Sequence, residues 1–165
     1  MGNKIKAVLF DLDGTLLPMD QDEFTKGYFG LLVRKMAPFG YDPERLIDGI
    51  WSGTAAMVKN DCERTNEEAF WRRFAEIFGD GVYEHKSIFG EFYAVDFKGA
   101  QRFCGFNPDA AEVVSLARSL GFRVALATNP IFPAIATETR TSVGLPFPSI
   151  FFCARTTSLS SIEEI

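Results

Sequence analysis

Histidine, basic charge and long apolar runs are scarce in this chain, and each shortage excludes a class of function. The 165 residues contain one histidine, His85, so neither a serine-protease-like triad nor a histidine-rich metal site is indicated. The formal net charge is −5, whereas a protein that binds the nucleic-acid backbone needs a basic face. No stretch approaches the roughly 20 apolar residues that cross a bilayer. We therefore expect neither nucleic acid nor a membrane as a partner.

The cysteines are also few. Cys62, Cys104 and Cys153 are odd in number and widely spaced, which fits free thiols better than a disulfide framework or a zinc site. The N-terminus lacks the basic, apolar and small-residue order of a signal peptide. These features predict a cytoplasmic protein. Apolar residues, by contrast, make up 47% of the chain and aromatic residues 14%, which is enough for a buried core.

Two carboxylates and a glycine follow the first apolar run of the chain. This run ends at Phe10 and leads directly into Asp11-Leu12-Asp13-Gly14-Thr15-Leu16. A short apolar run that ends in acids predicts a buried strand, and ligands bind at the carboxyl edge of the strands in open α/β sheets. Gly14 permits a sharp turn that lets main-chain N–H groups approach a phosphate, and Thr15 is expected to steady that turn.

The rest of the chain alternates between helical and strand patterns. Between residues 18 and 96 the pattern is helical throughout, and helices are predicted over Asp22–Ala37, Pro43–Lys59, Thr65 to Gly79, and Tyr83–Phe97. A helix capped by Asn107 and Pro108 follows, and then strands over Phe122–Ala127 and Ser149–Ala154, with a helix over Pro133–Val143 between them. We predict an α/β fold: a Rossmann-like parallel core of about three strands (residues 1–17 and 97–165), interrupted by a helical insertion over residues 18–96.

The sequence Asp11-Leu12-Asp13-Gly14-Thr15 resembles the first signature of the haloacid dehalogenase-like hydrolase superfamily, and the insertion resembles the helical cap domain of its phosphatases. The resemblance implies that Asp11 is a nucleophile that attacks phosphorus and is itself phosphorylated, and that Asp13 is the acid/base. It also implies a Mg²⁺ cofactor, held by the Asp11 side chain and the backbone carbonyl of Asp13. The metal would remove the repulsion between the carboxylate and a phosphate.

Thr128 stands where the family's second signature is expected, at the end of the strand that contains Val124–Ala127. The resemblance implies that its hydroxyl donates to the transferring phosphoryl group, assisted by the Asn129 backbone N–H. Together with Leu12 and Gly14, these two residues form the predicted phosphate-binding set. Relatives that displace halide lack an aspartate at the position of Asp13, and the ATPase relatives carry threonine there. The predicted activity is therefore hydrolysis of a small phosphorylated metabolite.

Two later signatures of the family have no counterpart. No lysine follows Lys98, and none of the acids after Thr128 ends a plausible strand; these are Glu138, Glu163 and Glu164. Arg155 is a late cation, but a guanidinium is not interchangeable with an ammonium. We expect a truncated or frame-altered hydrolase with weak or no turnover. Its first strand, Val8–Phe10, is then expected at an open edge of the sheet.

Two other functions stay open. One is a non-catalytic fragment that binds phosphate or a partner protein through the phosphate loop and the open sheet edge. The other is a phosphomutase, which would transfer the phosphoryl group between two positions of a sugar. A calcium loop is excluded, because placing Gly14 at its sixth position puts Leu9, which cannot ligate, at its first. The substrate and the oligomeric state are not predicted.

Overall fold

A small parallel sheet and a block of helices make up the structure. The computed structural model describes residues 5–61, 63–128, 132, 133, 136 and 150–152. Internal contacts divide the chain into two compact units, which we name the sheet unit (Met1–Phe24 and Gln101–Ile165) and the helical unit (Thr25–Ala100). The interpretation of residues 18–96 as a cap domain stays a prediction.

Among the described residues, three strands form the sheet: β1 (Ala7–Phe10), β2 (Arg123–Thr128) and β3 (Ile150–Phe152). They run parallel in the order β1-β2-β3, with Phe10 aligned to Leu126 and Leu126 aligned to Ile150. The predicted α/β fold with a parallel core is thereby confirmed. Among the described residues β1 pairs on one side only, and Leu9 at this edge is 50% exposed.

The helices follow the sequence pattern closely. The α-helices of the described residues are α1 (Gln21–Met36), α2 (Pro43–Val58), α3 (Asn66–Phe78), α4 (Lys86–Ala94) and α5 (Ala110–Ser119), with 3₁₀ helices at Ala37–Phe39, Asp80–His85 and Asp96–Phe103. Within these residues, no helix combines the length and the apolar character that a membrane span requires.

One face of α5 packs on the sheet. The spacing of Ala110, Val114 and Ala117 places them on that face, and all three are buried. They form a core with four further residues, namely Leu12, Leu16, Val124 and Leu126. The predicted cap of this helix was wrong. Asn107 instead accepts a hydrogen bond from the Asp109 backbone N–H at 3.0 Å, and the helix begins after Asp109.

The N-termini of α2 and α3 are capped as predicted. Asp42 accepts from the Arg45 backbone N–H at 2.9 Å, and Pro43 follows it. Before α3, the Thr65 hydroxyl accepts from the Glu68 backbone N–H at 3.2 Å, and the Glu68 carboxylate accepts from the Thr65 backbone N–H at 2.8 Å. This reciprocal pair satisfies two backbone donors that the helix leaves unpaired.

The predicted helix over Tyr83–Phe97 was wrong in its extent. The chain here forms a 3₁₀ helix to His85, then α4, and then a second 3₁₀ helix from Asp96. A 3₁₀ helix has three residues per turn, so short segments of it carry no apolar period that would distinguish them from an α-helix.

Aromatic rings fill the interior of the helical unit. Phe74 is fully buried, and its ring centroid lies 5.7 Å from that of Trp71 and 4.6 Å from that of Phe78. A glycine lets α2 approach these rings, because a Cβ atom at Gly53 would lie 2.5 Å from the ring of Phe70. Close packing of α2 against α3 therefore requires a residue without a side chain at position 53.

Candidate functional site

The residues after β1 form a hydrogen-bonded turn. The Leu12 carbonyl accepts from the backbone N–H of Thr15 at 3.2 Å and from that of Leu17 at 2.9 Å. Leu12 and Leu16 are buried in the sheet core, at 0% and 6% exposure. These two side chains anchor the turn at both ends, because each is held in the core while the backbone between them reverses. Asp11 is left exposed and Asp13 half-buried.

Gly14 has a conformational role in this turn. Its φ of +77° lies in the left-handed region, and no atom would lie within 4 Å of a Cβ atom built there. The requirement for glycine is therefore one of backbone conformation, since other L-residues lose about 1–2 kcal/mol in this region. The Gly14 N–H donates to the Leu17 carbonyl at 2.9 Å, so it is already engaged within the turn.

The carboxylate of Asp11 is held from one side. Its Oδ2 accepts from the Thr15 hydroxyl at 3.3 Å, a long bond that orients the carboxylate without enclosing it. Among the described residues no hydrogen bond reaches Oδ1. The sequence indicated that Thr15 steadies the turn but did not indicate this contact. The four-residue spacing of Asp11 and Thr15 was the available signal.

Asp13 is fixed through its backbone. It forms an isolated bridge with Leu17, made by the bonds that flank it on Leu12 and Gly14. The residue is half-buried. Its position two residues after Asp11 puts both acids in the same turn, within the segment that the core anchors.

Thr128 ends the strand beside β1. Phe10 is aligned with Leu126 in the parallel ladder, so Asp11 and Thr128 follow this pair at the same edge of the sheet. The structure thus brings together the backbone positions of Asp11, Leu12 and Thr128. The Thr128 side chain, Asn129 and Arg155 lie outside the described residues.

The donor chemistry of the turn fits Mg²⁺. The described residues contain no group of three or more His, Cys, Asp or Glu side chains placed to hold a metal. Mg²⁺ needs fewer, because it usually binds one or two carboxylates and completes its shell with phosphate and water oxygens. The exposed Asp11 carboxylate and the neighbouring Asp13 supply the hard oxygen donors that such a site requires.

The other titratable groups with notable partners are structural. His85 lies in the helical unit, where its Nδ1 is 2.8 Å from the Tyr41 hydroxyl. Tyr28 and Tyr93 join through their hydroxyls at 2.9 Å. Burial raises the pKa of Tyr93 to about 12 and also raises that of Tyr28. Both phenols are therefore protonated at neutral pH and do not act as bases there.

A comparison with known protein families shows to which family the chain belongs. A sequence model of the haloacid dehalogenase-like hydrolase family matches residues 5–155, which is most of the chain. The chain belongs to this family. Among curated proteins, no significant match was found. The predicted family is confirmed, and membership in the haloacid dehalogenase-like hydrolases supports a phosphohydrolase type of function in general. The roles of Asp11, Asp13 and Thr128 stay predictions.

Proposed function

We propose that this chain is a Mg²⁺-dependent phosphohydrolase that acts on a small phosphorylated metabolite through a phosphorylated aspartate. The supporting observation is the turn after β1. An exposed Asp11 stands at the carboxyl end of this strand, on a turn that requires Gly14, beside the end of β2. The resemblance of Asp11-Leu12-Asp13-Gly14-Thr15 to the first signature of this family implies that Asp11 is the nucleophile.

The reaction proceeds in two displacements. An Asp11 carboxylate oxygen attacks phosphorus, the bond from phosphorus to the leaving oxygen breaks, and Asp13 donates a proton to that oxygen. Asp13, now ionised, then takes a proton from a water molecule, and the oxygen of this water attacks phosphorus. The bond between Asp11 and phosphorus breaks, which releases inorganic phosphate and restores both carboxyl groups to their starting states.

Backbone groups and Thr128 would hold the phosphoryl group. We assign this role to the Thr128 hydroxyl and to the backbone N–H groups of Leu12 and Asn129. Gly14 serves through the shape of the turn, since its own N–H is bonded to Leu17. Mg²⁺ would be held by the Asp11 side chain and the backbone carbonyl of Asp13, and it would supply positive charge that lowers the repulsion between the carboxylate and the phosphate.

We also propose how the substrate is selected and in which compartment the protein acts. The helices over residues 18–96 act as a cap that selects the substrate. The cytoplasm is the proposed compartment, because three unevenly spaced cysteines fit a reducing environment. The net charge of −5 argues against nucleic acid as a partner.

Hydrolysis of p-nitrophenyl phosphate tests the proposal. We expect release of p-nitrophenol that requires Mg²⁺ and stops on chelation. The release is slow, because residues 99–165 contain no lysine that could neutralise the site. Asp11→Asn abolishes it, and Asp13→Asn lowers it by about 10²-fold or more. Asp22→Asn, at an exposed position in the first turn of α1, is the matched control and leaves the rate unchanged. Equal rates in Asp11→Asn and the unaltered chain would refute the nucleophile assignment.

A second candidate is binding without turnover. The open side of β1 favours it, because Leu9 is 50% exposed and β1 pairs on one side only within the described residues. Such a protein would bind phosphate or a partner chain at this edge. Calorimetry with Mg²⁺ and aluminium fluoride, together with light scattering, separates the two functions. A phosphomutase would instead transfer the group between two positions of a sugar phosphate without releasing inorganic phosphate.

A further inference from the structure

A mostly apolar groove lies between α1 and α2, wholly within the helical unit. Its volume is about 390 Å³, and the residues that line it include Lys26, Phe29, Gly30, Val33, Ile47 and Trp51. Small-molecule sites in proteins typically have volumes of ~300–1,000 Å³, with apolar walls and few polar groups. The groove therefore has the volume and the apolar lining of a small-ligand site, and it is open to solvent.

Two aromatic rings form one wall of the groove. The centroids of Phe29 and Trp51 are 5.6 Å apart, and the rings meet edge to face at 62°. Phe29 is buried, but Trp51 is 47% exposed, whereas Trp71, the other tryptophan, is 8% exposed within the aromatic core. An exposed indole face at the side of a groove can stack against a further flat ring.

Gly30 keeps this part of the groove open. It lies inside α1, where glycine is unfavourable relative to alanine. No atom would lie within 4 Å of a Cβ atom at Gly30, so packing within the protein does not require glycine there. A larger side chain would instead project into free space along the groove.

Lys26 places a positive charge at the groove. Among the described residues its ammonium makes no ion pair, although Asp22 and Glu23 stand one turn before it on α1. Lys26 is the charged residue among those that line the groove. An ammonium placed in this way attracts a ligand that is apolar in its body and negative at one end.

We propose that the groove binds a small planar aromatic anion, such as an aromatic carboxylate. The ring stacks on Trp51 beside Phe29 and passes over Gly30, and the carboxylate pairs with Lys26. This site is separate in its chemistry from the aspartate turn. Ligand binding in the groove does not depend on phosphohydrolase activity.

Titration of the full chain with 2-naphthoate tests the site, with the indole N–H signals of both tryptophans followed by NMR. We expect a saturable shift of the Trp51 signal and none for Trp71. The neutral isostere 2-naphthamide binds several-fold more weakly, and octanoate, which has no ring, weaker still. Absence of a saturable Trp51 shift at millimolar 2-naphthoate, or equal affinity for the amide, overturns the proposal.

Two substitutions locate the binding. Lys26→Gln weakens 2-naphthoate by about five-fold and leaves 2-naphthamide unaffected. Lys59→Gln, at an exposed position directly after α2, changes neither. Gly30→Leu weakens both ligands by roughly ten-fold or more, because leucine fills the groove. Its control is Gly90→Leu in α4, where a Cβ atom also meets nothing within 4 Å.

Both leucine variants replace a helical glycine with a better helix former, so loss of folding does not explain a loss of binding. Equal binding by Gly30→Leu and Gly90→Leu overturns the proposal. A Trp51 shift that grows with protein concentration in the absence of ligand, together with increased light scattering, also overturns it. The groove would then be covered by a second copy of the chain.

Discussion

The two units of the chain are stabilised by different kinds of core. The fully buried side chains of the helical unit include Phe74, Phe92 and Phe97, which are among the largest in the protein. The sheet unit instead relies on aliphatic side chains such as Leu126 and Val114. Its acids lie at the end of a strand, with Asp11 exposed. The comparison indicates that most of the buried aromatic surface lies in one unit and the candidate chemistry in the other.

Two glycines, one in each unit, are required for different reasons. At Gly53 in the helical unit the constraint is steric, because a Cβ atom would lie 2.5 Å from the ring of Phe70. At Gly14 in the sheet unit the surroundings are open, and the constraint is a φ of +77°. At Gly53 glycine therefore serves packing, whereas at Gly14 it shapes the turn that carries the acids.

The largest expected effect is on the aromatic core. Phe74→Ala lowers the free energy of unfolding by about 3–5 kcal/mol, because it opens a cavity among the five aromatic rings that contact Phe74. Urea unfolding followed by tryptophan fluorescence measures this, since both Trp51 and Trp71 lie in the helical unit. The matched change in the other core, Leu126→Ala, shifts this fluorescence transition less. Equal shifts would show that the two cores unfold together and would remove the contrast between them.

A smaller effect distinguishes two glycines with left-handed backbone conformations. Gly14→Ala and Gly40→Ala each cost about 1–2 kcal/mol, because φ is +77° at the first and +80° at the second and neither site has atoms close to a new Cβ. Only Gly14→Ala also lowers p-nitrophenyl phosphate hydrolysis, because it distorts the turn that holds Asp11 and Asp13. Parallel loss of activity in Gly40→Ala would contradict the assignment of the chemistry to the sheet unit.

The smallest effect concerns the N-terminus of α3. The Thr65 backbone N–H and hydroxyl donate to the Glu68 carboxylate and lower the pKa of that carboxyl. Because the pKa of Glu68 is lower in the folded state, its stabilising effect is complete above the unfolded pKa and is lost as pH falls through the folded pKa. Thr65→Ala costs about 1 kcal/mol at neutral pH and less in acid, measured by urea unfolding at both pH values. Glu63→Gln, at an exposed position before the helix, is the control. A cost of Thr65→Ala that does not change with pH would contradict the coupling.

Local signals in the sequence predicted much of the fold. The starts of α2 and α3 were predictable from Asp42 and from the pair Thr65 and Glu68, because the hydrogen bonds involved join residues only three apart. The prediction that Asn107 caps α5 was wrong for a related reason. An asparagine side chain also accepts from a backbone N–H two residues later in a turn, as Asn107 does here, so its presence alone does not mark the start of a helix.

The candidate site was predictable in its position but less so in its contacts. Asp11, Asp13 and Thr128 stand at strand ends, which the apolar runs before them indicate. The bond from Thr15 to Asp11 depends on the course of the turn. The groove beside Trp51 depends on how α1 and α2 pack together, which no single stretch of sequence encodes.

The fully buried Leu12 between two aspartates has a consequence for how this protein tolerates change. Here the middle position of the signature serves as a hydrophobic anchor while its neighbours carry the acids. Variation at Leu12 should therefore reduce thermal stability and turnover in parallel, and selection on either property restrains the other.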